Sequence, residues 1–181
     1  MTDDSRLLAA LAVVRSRGAI GERSLDHAVA HADRFVALIP AGEQSVVDLG
    51  SGGGLPALVI AWRRPDLAVT MVERRGNRAD LLQRAVRSLD LAQRVTVITG
   101  DVAGVCVSSP GAFTAVTARS FADIATTAGF VETLLRPGGV GLISEPPIDR
   151  SDAWTSVLAH HPELEDHGVH QGIRWLSRVT P

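Results

Sequence analysis

Residues 46–56 of this 181-residue chain read Val46-Val47-Asp48-Leu49-Gly50-Ser51-Gly52-Gly53-Gly54-Leu55-Pro56. A short apolar run ends in an acid, a glycine-dense turn follows, and a second apolar run extends over residues 57–62. This pattern predicts a strand, a tight loop and a helix. Glycine permits positive φ and lets a backbone approach a ligand closely. A strand that passes through glycines into a helix N-terminus commonly binds nucleotide-like ligands.

Length and composition predict one ordinary globular domain over residues 1–181, with 45% hydrophobic residues available for a core. We expect residues 1–43 to form a helical cover and residues 44–181 to form the core of the fold. The net charge of −2 lacks the basic excess that is typical of dedicated nucleic-acid binders. One cysteine cannot form an internal disulfide, which favours a reducing compartment.

Targeting and membrane signals are also absent from the sequence. No basic start is followed by a long apolar core, so no signal peptide is predicted. No apolar run reaches transmembrane length. We therefore expect a soluble, cytoplasmic protein that has no membrane partner.

From residue 45 onward, strand and helix patterns alternate along the chain. This alternation predicts an α/β fold with a mostly parallel seven-stranded sheet, helices on both faces and a C-terminal antiparallel hairpin. The predicted strands are 45–49, 68–73, 94–99, 113–118, 138–144, 164–169 and 173–179, and the predicted helices are 5–17, 24–38, 56–64, 77–89, 121–135 and 151–160.

The glycine spacing narrows the type of ligand. The turn has the form D-x-G-x-G-x-G, whereas the dinucleotide fingerprint G-x-G-x-x-G fails because Leu55 stands where its third glycine is required. The sequence contains no G-x-x-x-x-G-K-[ST] phosphate loop either. Since neither the dinucleotide fingerprint nor the phosphate loop is present, the glycine turn is consistent with a nucleoside ligand that has no pyrophosphate.

Two acids lie at or just after the ends of the next two predicted strands. Glu73 ends the second strand and is placed to accept hydrogen bonds from two ribose hydroxyls, while Asp101 follows the third and can accept one from an adenine amino group. Taken singly, Glu73 is also typical of a solvated strand end and Asp101 of a helix cap. The ordered series of glycine turn and two acids, all at the carboxyl ends of adjacent strands, favours a ligand site.

This series resembles the class I S-adenosylmethionine-dependent methyltransferases over about residues 45–145. Within that class the chain is most similar to the RsmG (GidB) family, which methylates a guanine N7 in 16S ribosomal RNA. The matching residues are the stretch 48–56, Pro65-Asp66, Arg78, Leu89-x-Leu91 and Thr117-Ala118-Arg119-Ser120-Phe121.

The resemblance implies a Rossmann-like class I methyltransferase fold, S-adenosyl-L-methionine as cofactor and S-adenosyl-L-homocysteine (SAH) as product, with no metal. It implies 16S ribosomal RNA or the small ribosomal subunit as partner. The implied cofactor-binding residues are Asp48, Gly50, Ser51, Gly52, Gly54, Leu55, Pro56, Glu73, Arg74, Asp101, Val102 and Arg119.

Arg119 is also the predicted catalytic residue on the acceptor side, because it follows the fourth strand. An arginine there can bind a phosphate or stack on a base. The alternative is a salt bridge to Asp123, four residues further along. Guanine N7 has a free lone pair and needs no general base, whereas an oxygen or carbon acceptor would need one.

Three departures from the RsmG pattern concern the acceptor. Asn77-Arg78 stands where the family has a Lys-Arg pair, Ser144-Glu145 replaces a lysine-bearing strand end, and an N-terminal Asn-Leu-Thr signature is missing. Methyl transfer to a small molecule or a protein is therefore a second hypothesis. A cofactor-binding relative without catalysis is a third.

Overall fold

The computed structural model describes residues 4–21, 24–42 and 44–180, so the predicted domain ends at residues 1 and 181 and the division at residue 43 lie outside the described residues. Its strands are β1 (Gln44–Leu49), β2 (Leu67–Glu73), β3 (Val95–Thr99), β4 (Phe113–Ala118), β5 (Leu135–Ser144), β6 (Leu164–His170) and β7 (Ile173–Arg178). Its helices are α1 (Ser5–Ser16), α2 (Leu25–Leu38), α3 (Ala57–Arg63), α4 (Gly76–Ser88), α5 (Val102–Ser108), α6 (Ile124–Leu134) and α7 (Ser151–Leu158).

The seven strands form one sheet in the order β3-β2-β1-β4-β5-β7-β6. β1 to β5 run parallel to one another, and β7 pairs antiparallel with both β5 and β6. The predicted fold class is thereby confirmed. The strand order reverses between β1 and β4, and open α/β sheets bind ligands in the crevice at such a reversal.

Alternate residues of the strands pack against different helix layers, because successive side chains of a strand point to opposite faces. Val46 belongs to a buried cluster with residues of α1, α2, α3 and α4. Val47 belongs to a second cluster with residues of α5, α6 and α7. No helix in the described part of the chain is long and apolar enough to cross a membrane.

Helix α5 was not predicted. Its sequence, Val-Ala-Gly-Val-Cys-Val-Ser, is rich in β-branched valine and contains a glycine, both of which have poor helix propensity. The carboxylate of Asp101 begins the helix by accepting a hydrogen bond of 2.9 Å from the backbone N–H of Ala103. A local cap therefore outweighs the intrinsic preference of the segment.

The start of β5 also differs from the prediction. Leu135 pairs with Phe113 and Val140 pairs with Ala115, so four residues face one on the partner strand. The strand was predicted over residues 138–144, but it begins at Leu135, and the Arg-Pro-Gly-Gly segment at 136–139 is a bulge within it. Helix α6 begins at Ile124 instead of residue 121, because the Asp123 carboxylate accepts a 2.9 Å hydrogen bond from the Thr126 N–H.

Candidate active site

The glycine loop between β1 and α3 is a tight turn at the carboxyl end of the sheet. Gly50, Gly52 and Gly54 have φ values of +63°, +54° and +85°, a region that residues with a Cβ rarely adopt. The Ser51 N–H donates to the Val72 carbonyl at 2.9 Å, and the Gly54 N–H donates to the Ser51 carbonyl at 2.7 Å. The loop is therefore held both to β2 and to itself.

Two neighbouring segments approach this loop closely. A Cβ at Gly53 would lie 2.4 Å from Ile20 Cγ1 and 2.6 Å from the Ala19 carbonyl oxygen. A Cβ at Gly50 would lie 2.6 Å from Phe121 Cδ2. The segment after α1 thus covers one side of the loop, and the segment after β4 lies against the other.

The contact at Gly53 leads to a stability prediction. Gly53→Ala should lower the free energy of unfolding by about 1–3 kcal/mol, because a backbone carbonyl and a buried side chain must move to admit the methyl group. Gly104→Ala in α5 is the matched control: a Cβ there meets nothing within 4 Å. Urea unfolding midpoints measure both, and equal midpoints for the two variants would contradict the close contact.

Glu73, at the end of β2, joins the glycine loop to the following turn. The residue is 5% exposed. Its Oε2 accepts a 2.9 Å hydrogen bond from the Gly52 N–H, and its Oε1 accepts a 2.8 Å hydrogen bond from the Arg75 N–H. A carboxylate has about four acceptor sites. Two therefore stay available for donors such as the hydroxyls of a ribose.

Asp48, the last acid before the loop, is 1% exposed. Its Oδ1 accepts a 2.7 Å hydrogen bond from the Thr117 hydroxyl, while its Oδ2 is buried and accepts none from the described residues. Burial raises the pKa of Asp48 to about 6, although the hydrogen bond from Thr117, the nearby Ser51 and the positive charge of Arg119 act against the rise. The Ser51 hydroxyl donates to the Asp48 backbone carbonyl at 3.1 Å. A buried carboxylate oxygen with unused acceptor capacity fits a ligand that carries an ammonium or another cation.

Arg119 is half-buried and directly follows β4, next to β1 in the sheet. Its charge lowers the pKa of Asp48, which places its electrostatic influence within the site. Asp123, the alternative partner in the sequence analysis, caps α6 and accepts a 2.7 Å hydrogen bond from the Thr126 hydroxyl.

The other predicted site residues lie around the same edge of the sheet. Asp101 is exposed and caps α5, and Val102 after it is buried. Arg74 is exposed just after β2, whereas Leu55 and Pro56 are buried where the loop enters α3. The structure thus brings the glycine loop, Asp48, Glu73 and Arg119 to the ends of β1, β2 and β4, with Asp101 after β3. The assignment of these residues to a cofactor stays a prediction.

A buried ion-pair network beyond β5 was missed by the sequence analysis. Glu145 Oε1 accepts hydrogen bonds from Trp154 Nε1 and, at 3.2 Å, from Arg174 Nε. Arg174 is 2% exposed and its guanidinium lies 5.1 Å from the centre of the Trp154 ring. These residues come from three separate elements, so no local spacing indicated the contact. The network holds the segment that leaves β5 at the edge carrying the candidate site.

No group of three or more His, Cys, Asp or Glu residues that could hold a metal ion occurs within residues 4–21, 24–42 and 44–180.

Comparison with known proteins gives one family. The family model described as rRNA small subunit methyltransferase G matches residues 21–145, a stretch that contains every predicted site residue. A ribosomal RNA small subunit methyltransferase G from Acidothermus cellulolyticus is 34% identical over 165 residues, which cover 89% of this chain and 70% of the relative. One from Salinispora tropica is 40% identical over 124 residues, 66% of this chain and 49% of the relative. The chain thus aligns with about half the length of the Salinispora protein.

Solved structures agree on the fold. An O-methyltransferase from Bacillus cereus in complex with SAH matches with a TM-score of 0.68, over 99% of this chain and 93% of that one. The two sequences are 16% identical, so the likeness concerns the fold alone.

Proposed function

The chain belongs to the rRNA small subunit methyltransferase G family, and on that premise we propose that it transfers a methyl group from S-adenosyl-L-methionine to a guanine N7 of 16S ribosomal RNA. The family match over residues 21–145 carries the proposal, because the same stretch builds the glycine loop, the two acids and Arg119. The small ribosomal subunit is the proposed partner.

The residues at the carboxyl edge fit this cofactor. Glu73 would accept hydrogen bonds from the ribose hydroxyls with the two acceptor sites that Gly52 and Arg75 leave unused. Asp101 and Val102 would lie on the adenine side, where a short carboxylate accepts from the amino group. Asp48, whose Oδ2 is buried without a hydrogen bond from described residues, suits a ligand with positive charge. S-adenosyl-L-methionine supplies an activated methyl group on a sulfonium cation.

The chain itself contributes positioning and exclusion of water. The backbone of the glycine loop would form one wall of the cofactor site, and Phe121, which lies against Gly50, would form another part of it. Guanine N7 attacks with its own lone pair, so the reaction requires no proton acceptor from the protein. The positive charge of Arg119 acts on Asp48. Its guanidinium would bind the guanine or a phosphate of the acceptor.

Labelled S-adenosyl-L-methionine and small ribosomal subunits that lack the modification test this function. We expect label in 16S RNA, at a position that becomes sensitive to cleavage chemistry for N7-methylguanine. Cofactor binding without RNA labelling would contradict the RNA acceptor and favour methyl transfer to a small molecule or a protein.

Arg119→Ala separates acceptor binding from cofactor binding. We expect the variant to lower the transfer rate at least about 10-fold, since a hydrogen bond to a charged group contributes about 1.5–3 kcal/mol. Cofactor affinity at pH 8 should change less than about 3-fold, because Asp48, with its pKa of about 6, is ionised there with or without Arg119. Single-turnover transfer and calorimetry measure the two quantities. Unchanged transfer would remove Arg119 from the acceptor side.

A further inference from the structure

Arginines whose guanidinium groups pair with no acid among the described residues occur in two short segments of the chain. Arg15 and Arg17 lie at the end of α1 and just after it, and Arg75 and Arg78 lie where α4 begins. Residues 14–21 contain two arginines and residues 74–79 contain three, with no aspartate or glutamate inside either segment; in the sequence Glu22 follows the first, and Glu73 and Asp80 flank the second. Both segments are therefore locally cationic in a chain whose net charge is −2.

The packing of α1 against α4 brings the two segments to the same end of the molecule. Near the start of α1, Arg6 donates hydrogen bonds of 2.7 Å to Asp90 Oδ2 and 2.9 Å to the Ser88 carbonyl, both at the far end of α4. The start of α1 therefore lies beside the end of α4.

The glycine loop lies at the same place. Ala19 and Ile20, which follow the α1 segment, contact Gly53. On the α4 side, Arg78 Nη1 lies 3.9 Å from the Cβ position of Gly52, and Arg75 donates its backbone N–H to Glu73. Arg75 and Arg78 therefore lie beside the glycine loop, and Arg15 and Arg17 lie within four residues of Ala19, whose backbone contacts that loop.

The charges of this cluster are not neutralised within the described part of the chain. The guanidinium groups of Arg15, Arg17, Arg75 and Arg78 make no hydrogen bond or ion pair to any described residue, and all but the half-buried Arg78 are exposed. Several other arginines are engaged: Arg64, for example, pairs with Asp66 at 2.6 Å. Arginine stays charged at physiological pH and binds phosphate through two parallel hydrogen bonds.

We propose that Arg15, Arg17, Arg75 and Arg78 form an RNA-binding surface that holds phosphates of the acceptor strand beside the active site. The inference rests on the proposed function, because it takes the acceptor to be RNA. It accounts for RNA binding by a mildly acidic protein: the positive charge is concentrated at one edge, and the excess negative charge lies elsewhere. Side chains at this surface contact the backbone, so they supply affinity and orientation but no sequence selection.

The test uses the triple variant Arg15→Gln, Arg17→Gln, Arg75→Gln, which leaves the backbone N–H of Arg75 in place. Its control is Arg87→Gln, Arg136→Gln. Arg87 is exposed in the last turn of α4, and Arg136 is exposed beside the amino ends of β1 and β2, at the opposite edge of the sheet.

Filter binding of protein-free 16S RNA, with saturating SAH, measures affinity over a series of salt concentrations. We expect the triple variant to bind RNA about 10-fold or more weakly at low salt, with a salt dependence reduced by about 2 in slope, since each lost phosphate contact removes about 0.7. The control should lose less than about 3-fold, and the affinity of both variants for SAH should match that of the unaltered protein.

Four outcomes overturn the inference. A loss of binding free energy in the control of about two thirds of that in the triple variant would show that only total charge matters, because the control removes two charges and the triple variant three. An unaltered salt slope would show that these arginines contact no phosphate. If the unaltered protein methylates RNA while the triple variant binds RNA equally well, the surface is wrong and the proposed function stands. If the unaltered protein neither binds nor methylates RNA, both fail.

Discussion

Glu73→Ala should lower the affinity of the protein for S-adenosyl-L-methionine at least about 100-fold. Two hydrogen bonds from ribose hydroxyls to a carboxylate are lost, and hydrogen bonds to charged groups contribute about 1.5–3 kcal/mol each. The Gly52 and Arg75 N–H groups also lose their acceptor, so the glycine loop and the start of α4 are no longer tied to one side chain. Isothermal titration calorimetry measures the affinity directly.

Two further variants isolate the role of the carboxylate. Glu73→Gln keeps the shape of the side chain but must present an amide N–H₂ to one of the two backbone donors, so we expect at least about 10-fold weaker binding. Glu165→Ala, on exposed β6, removes the same charge far from the loop and should bind normally. Urea unfolding shows whether each variant is folded. A folded Glu73→Ala variant with the affinity of Glu165→Ala would exclude Glu73 from the cofactor site.

The parts of the fold that sequence patterns predicted are those in which local chemistry and tertiary contacts agree. Each parallel strand is an apolar run bounded by polar, glycine or proline residues, so a few consecutive residues indicate its position. Helix α5 conflicts with its own valine-rich sequence and depends on the Asp101 cap. The bulge in β5 depends on pairing with β4, where Val140 takes the place beside Ala115. Such features follow from neighbours in space, which local patterns do not encode.

The same distinction applies to the candidate site. The glycine turn, Glu73 and Asp101 were identified because each lies at or just after the end of a strand, and the carboxyl ends of parallel strands meet at one edge. The contact of Ala19 and Ile20 with Gly53 joins segments more than thirty residues apart. The ion pair of Glu145 with Arg174 joins residues that are 29 positions apart. Neither has a periodic or motif signal, so both required the packed structure.

Asp48→Asn should change how stability depends on pH. The pKa of Asp48 is raised from 3.8 to about 6 in the folded protein, so between about pH 4 and pH 6 the folded state keeps a proton that the unfolded state has lost. The contribution of Asp48 to the free energy of unfolding of the unaltered protein therefore falls by up to about 3 kcal/mol as the pH rises through that window. The variant cannot ionise. Its free energy of unfolding relative to the unaltered protein should rise by about 2–3 kcal/mol between pH 4 and pH 8, as measured by urea unfolding at both pH values.

The same substitution should reverse its effect once the cofactor is bound. A cation beside Asp48 favours the ionised carboxylate, so the affinity of the unaltered protein for S-adenosyl-L-methionine should fall about 10-fold from pH 7.5 to pH 5, because only about a tenth of a group with pKa 6 is ionised at pH 5. The Asp48→Asn variant should bind at least about 10-fold more weakly at pH 7.5 and should lose most of this pH dependence. Calorimetry at the two pH values gives both numbers. Equal pH dependence in the two proteins would show that another group takes up the proton and that Asp48 faces no cation. If the buried charge of Asp48 destabilises the folded protein but strengthens cofactor binding, Asp48→Asn should be more stable than the unaltered protein at pH 7.5 and should bind S-adenosyl-L-methionine more weakly.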